Sequence, residues 1–151
     1  MGFLRSWLAA GIGGTIAITA SSTLEMKLRG RPPSTAPIDT IERLLGRRLP
    51  SRWRAAAGNA GHLASGLALG LPRALLWRAG VREPAATVAF LPIACLPDMA
   101  LVPALGVSEP PWRWGPAELA ISALHHAAYA TGASVAIAGT VGPWARLPFP
   151  R

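Results

Sequence analysis

Cysteine and lysine occur once each in this chain, at Cys95 and Lys27, and acidic residues only seven times. The lone cysteine rules out an internal disulfide and leaves no redox pair. There is no H-E-x-x-H run, no phosphate-cradling glycine loop and no Cys/His pair in a catalytic setting, so the sequence signatures of metalloproteases, nucleotide enzymes and thiol hydrolases are missing. Gly11-Ile-Gly-Gly14 lies inside an apolar run and is too short for a dinucleotide fingerprint. An enzyme is therefore not expected. Charge is thin as well, at 15% of residues against about 25% in soluble domains.

What fills the chain instead is apolar and segregated. No charge interrupts Ser6 to Leu24, Ala55 to Pro72 or Leu119 to Ala145, and Asp98 alone interrupts Ala85 to Ser108. Runs of about 20 residues match a hydrocarbon core of about 30 Å. The expected fold is all-α: a single polytopic membrane domain over 1–151, with transmembrane helices at about 4–26, 55–79, 85–106 and 117–142. The second is the hardest to draw, because Pro72 and Arg73 come early in it. The first has the charged start of a signal peptide and a candidate cleavage site at Ile18-Thr-Ala20. Cleavage would strand the basic connection that follows outside the cell, so an uncleaved span is the expectation.

The net charge of +8 is almost all arginine. Eight of the fifteen basic residues lie between Lys27 and Arg54, in one connection, where the positive-inside rule places cytoplasmic segments. This favours a bacterial inner (cytoplasmic) membrane with the connection 27–54 inside, over a nucleic-acid partner. Arg113 then falls inside too, while Arg5, Arg73, Arg78, Arg82, Arg146 and Arg151 fall outside. Within the connection, Pro32 and Pro33 stop one helix, Ser34 or Thr35 can cap the next, and Gly46 can close it. The resulting helix, about 35–46, has Ile38, Ile41, Leu44 and Leu45 on one face. It is expected at the interface, with Arg47, Arg48, Arg52, Trp53 and Arg54 in contact with anionic lipid headgroups, or else packed as a lid.

Polar residues inside the apolar runs are the candidate site. Gly58, His62, Gly66 and Gly70 recur every fourth residue, a ridge of small residues carrying one imidazole. Ser122, His126, Ala130 and Ser134 repeat the pattern, a hint of two related hairpins weakened by Ala130 standing where the first ridge has Gly66. Gly58, Gly66 and Gly70 read as close-packing positions, as do Gly11, Thr15, Thr19 and Thr23. Pro97 should break the third span beside Asp98. By depth, His62, Asp98 and His126 fall in the same half of the membrane and can form one intramembrane polar cluster, for a proton, a cation or a small solute. Each histidine taken singly can equally be an interhelical hydrogen-bonding group. Glu25 and Glu118 read as interfacial charges or caps, and His125 as facing lipid or another span.

Two further readings stand beside this one. His62 and His126 are matched in depth, so they can serve as axial ligands to a haem or, with Asp98, hold a transition metal. The ridges and basic helix also suit a membrane scaffold that meets a second copy or another membrane protein. Finally, Leu24-Glu-Met-Lys-Leu-Arg-Gly-Arg-Pro-Pro-Ser34 running into Ile41-Glu-Arg-Leu-Leu-Gly46, His62 with its ridge, Leu101-Val-Pro-Ala-Leu-Gly106, and His126 to Tyr129 follow one another in an order that resembles small four-span bacterial inner-membrane proteins, broadly YagU-like, and their actinobacterial relatives. The resemblance implies a four-helix membrane fold and brings no catalytic residues.

Overall fold

The computed structural model describes residues 2–140. The last two residues of the expected fourth span, Trp144 and the proline-rich tail lie outside the described residues. Among those described, every regular element is helical. Helix α1 (Phe3–Arg29) ends at Gly30, whose φ of 63° turns the chain and whose N–H caps the Met26 carbonyl. The short α2 (Ala36–Leu45) starts with Pro37 in its first turn and stops at Gly46, also left-handed. Helix α3 (Ser51–Arg78) runs straight through Pro72.

The third apolar run is split, as its prolines require. Helix α4 (Ala85–Leu96) gives way at Pro97 to a five-residue π turn, Pro97–Leu101, followed by the short α5 (Val102–Ala104). Pro97 has no N–H for the Ile93 carbonyl, and Pro103 none for that of Met99. The ladder widens between them, with the Val102 N–H reaching back to the Pro97 carbonyl. Helix α6 (Pro116–Thr140) completes the described chain.

Helix α1 lies between α3 and α6, and α4 closes against α6 and α3. Small residues set the spacing. A Cβ on Gly70 would stand 2.5 Å from the Gly11 nitrogen, and one on Gly132 would stand 2.6 Å from the Gly13 oxygen, so backbone meets backbone at both crossings. Gly66 sits where three helices meet: Thr15 of α1 covers its Cα, and the buried Tyr129 hydroxyl of α6 donates to its carbonyl at 2.6 Å. The four-residue ridge of α3 is therefore shared between partners. Gly66 and Gly70 serve α1, whereas Gly58 lies under Ile38 of α2.

The interior is made of small side chains. Six of the eleven buried hydrophobics are alanines (Ala10, Ala74, Ala86, Ala94, Ala130 and Ala133), and four of them, Ala10, Ala94, Ala130 and Ala133, cluster with Phe90, Tyr129 and Ile137. Large aliphatic side chains face outward instead. Leu4, Leu8, Ile12 and Ile16 form an exposed stripe along α1, and Leu63, Leu75, Val88, Leu96, Leu124 and Val135 extend the apolar exterior over the other helices. By length and composition, α1 and the α4–α5 segment (Ala85–Ala104) could each cross a membrane. Within the described residues α3 and α6 do not reach the same apolarity.

Helix α2 is docked onto α3 and does not stand apart. Ile38 is buried and Ile41 meets Gly61, while Leu44 and Leu45 remain exposed. Arg54, expected among the headgroup contacts, turns inward to bond Asp39 at 3.1 Å and Glu42 at 2.5 Å. Arg47, Arg48, Arg52 and Trp53 stay on the surface, with the Arg52 guanidinium 5.9 Å from the Trp53 ring.

Candidate functional site

Each face of α1 carries polar groups to a different neighbour. Gly11, Thr15 and Thr19 point to α3, where the Thr19 hydroxyl and His62 Nε2 share a hydrogen bond of 3.0 Å. Gly14, Ser21 and Glu25 point to α6, where Ser21 Oγ and His125 Nδ1 lie 2.8 Å apart. His62 and His125 are thus separated by the helix they both contact. His62 opens onto a cleft beneath the connection, bordered by Asn59, Thr19 and Pro33. Asp98 and His125 line another, of about 450 Å³, together with Glu25, Arg31, Glu118 and Ser122.

Of the three residues expected to converge, Asp98 and His126 meet and His62 does not. His126 is buried, and its Nδ1 lies 2.7 Å from the carbonyl of Ser122, one turn back. A carbonyl only accepts, so Nδ1 carries the proton and donates it. In the neutral ring that leaves Nε2 an acceptor, whereas in the imidazolium Nε2 donates as well. Nε2 faces Asp98 Oδ2 at 3.6 Å, so one proton held between them is what would join the two groups. The π turn is what brings Asp98 there, by widening the helix at the carboxylate's own position.

A second acid–imidazole pair lies next to the first. His125 Nε2 is buried, has no hydrogen-bond partner among the described residues, and stands 3.9 Å from Glu25 Oε2. Glu25 itself is well satisfied: Arg31 binds both of its oxygens, and Arg29 reaches it at 3.1 Å. The Glu25 carboxylate in turn holds the Arg31 guanidinium above its ordinary range. Among the described residues Asp98 makes no ion pair with an arginine, and its side chain, 49% exposed, lines the cleft. With Glu118 on the same cleft, it is a carboxylate open to a proton or a cation.

Sequence reasoning placed Glu25 at the interface and turned His125 away from the site. The missing signal was the spacing Gly14, Ser21, Glu25, a second face on α1 beside the threonine face. A further polar layer went unrecognised near the opposite ends of the helices. Arg73, counted among the outer-turn charges, is fully buried because α3 continues through Pro72 and points it inward. Its Nε donates to Ser134 Oγ at 3.1 Å, and its Nη2 pairs with Glu83. Thr87 completes the group, donating to Glu83 at 2.5 Å and lying 2.7 Å from Ser134 Oγ. Arg73 Nη1 has no partner among the described residues.

His62 bonds Thr19 of α1, whereas His126 faces Asp98. Among the described residues no three His, Cys, Asp or Glu side chains group as a metal site. Comparison with protein-family models, curated proteins and solved structures gives no match, and so no family evidence for the YagU-like resemblance.

Proposed function

We propose that this chain is an integral protein of the bacterial inner membrane, a four-helix bundle crossing it four times, that binds a proton, a cation or a small cationic solute at the Asp98–His126 pair. The membrane placement is supported by the inversion of side-chain size: alanines and glycines inside, leucines, isoleucines and valines outside. The binding role rests on one observation, the approach of Asp98 Oδ2 to His126 Nε2 at 3.6 Å, beside a cleft that Asp98 and His125 both line. An ionisable pair inside an apolar helical assembly is costly to keep and marks pathways and relays. In this reading Asp98 takes up the charge, His126 shares it, and His125 with Glu25 forms the next polar station. His62 has no part in it.

Reconstitution tests the reading. In vesicles loaded with a pH-sensitive dye, the wild-type protein is expected to dissipate an imposed proton gradient or to show pH-dependent uptake of a small organic cation. Asp98→Asn should reduce that flux by about tenfold or more, since it removes the titrating charge at an intramembrane site. Wild-type vesicles as tight as protein-free ones to both proton and cation, or identical fluxes in the two variants, would sink the proposal.

A further inference from the structure

A cavity of about 660 Å³ lies between the C-terminal turn of α2 and the end of α5, bordered by Asp39, Glu42, Arg43, Arg47, Arg48 and Gly106. Its charges are sorted by direction. Asp39 and Glu42 are drawn toward α3 by Arg54, and Glu42 also accepts the Leu49 N–H at 2.8 Å. Arg43, Arg47 and Arg48 are exposed and make no ion pair among the described residues. One arginine thus occupies the two acids and leaves three others around the cavity. Leu44 and Leu45, 65% and 52% exposed, flank the same turn. Guanidinium groups beside exposed leucines are suited to a ligand that is anionic at one end and apolar at the other.

We infer that this cavity is a binding site for the phosphate of an anionic phospholipid headgroup, clasped by Arg43, Arg47 and Arg48 while Leu44 and Leu45 enter the acyl region. Arg54, which the sequence alone places in the headgroup layer, acts from behind as the residue that frees the other three. The inference rests on the membrane placement proposed above and is independent of any role for Asp98.

The test uses the full chain in detergent micelles, with dansyl-labelled phosphatidylglycerol as probe and its phosphatidylcholine counterpart as reference. Wild type should prefer the anionic lipid. Arg43→Gln with Arg47→Gln should weaken that binding about thirty-fold, from the contribution of two basic groups near a lipid surface. Arg5→Gln with Arg78→Gln removes the same charge away from the cavity and should change it less than about threefold, as one expects of charges screened beyond a Debye length. Equal losses in the two double variants, or no preference for the anionic lipid, would overturn the site. Inorganic phosphate that competes at the lipid's own concentration would overturn the choice of a lipid. If the glutamine variant fails to fold, Arg43→Lys with Arg47→Lys keeps the charge and loses the bidentate fork, so its binding should still fall severalfold; unchanged binding there counts against the site. A chain that stays soluble once detergent is removed would instead overturn the membrane placement.

Discussion

Arg73 is the residue whose environment departs furthest from expectation. A guanidinium with no exposed surface has to recover its lost hydration from partners, and here Glu83 and Ser134 bind it directly while Thr87 bonds to both of them. Glu83, 36% exposed, sits at the rim and carries the compensating charge. Glu83→Gln should therefore lower stability by about 2–3 kcal/mol, somewhat below the cost of breaking a fully buried pair because Glu83 keeps some water. Adding Arg73→Met to that variant should restore most of the loss, since the unpaired buried charge is then gone. Thermal unfolding in detergent reads both. A silent Glu83→Gln would mean that Arg73 is held by the Ser134 hydroxyl alone. Nothing in the linear order pointed to this group, because Arg73 and Ser134 are 61 residues apart and Arg73 directly follows a proline.

At the scale of the element, two kinds of helix contact can be separated by substitution. Gly132→Ala places a methyl 2.5 Å from Ala17 Cβ and 2.6 Å from the Gly13 oxygen, where backbone cannot yield, whereas Gly139→Ala meets nothing within 4 Å. The first should cost about 1–3 kcal/mol by overpacking and the second nothing, with helix propensity favouring alanine by up to about 1 kcal/mol. Equal effects on melting would deny the close α1–α6 crossing. The docking of α2 makes a prediction in pH. The Leu49 N–H, ahead of Arg54, holds the Glu42 carboxyl below its ordinary range, and a carboxyl depressed on folding stabilises above its unfolded value and loses that contribution as pH falls through the folded one. Hydrogen exchange in α2 should accelerate as pH drops below about 4, once intrinsic rates are corrected, and Glu42→Gln should exchange fast at every pH. Periodicity was enough to place these helices, to give the Gly11–Thr15–Thr19 face and to break the third run at Pro97. It could not pair faces with partners. One helix using two polar faces looks the same in sequence as a helix with one face and a scatter of small residues, and for that reason His62 was joined to Asp98 while His125 was left out.

For the whole molecule the decisive property is that its apolar surface lies outside. In water, exposed Leu4, Leu8, Ile12 and Ile16 along α1 would drive aggregation, and a core so rich in alanine has little hydrophobic area with which to offset the entropy of folding. In lipid the same distribution costs nothing, because close packing of small residues, and not expulsion of water, then holds the helices together. Helices α3 and α6 are less apolar because they carry the polar side chains that meet α1, α2 and α4, including His62, Arg73, His126 and Ser134. On the proposed topology the connection with its eight basic residues faces the cytoplasm. Arg48→Cys and Arg82→Cys occupy opposite ends of the molecule on this reading, and Cys95, being buried, gives a low background with thiol reagents. A membrane-impermeant maleimide should label Arg82→Cys in intact spheroplasts and Arg48→Cys only in inverted vesicles. The reverse pattern would flip the topology and put the arginine cavity on the outer leaflet, while release of the protein by alkaline carbonate would remove it from the membrane altogether.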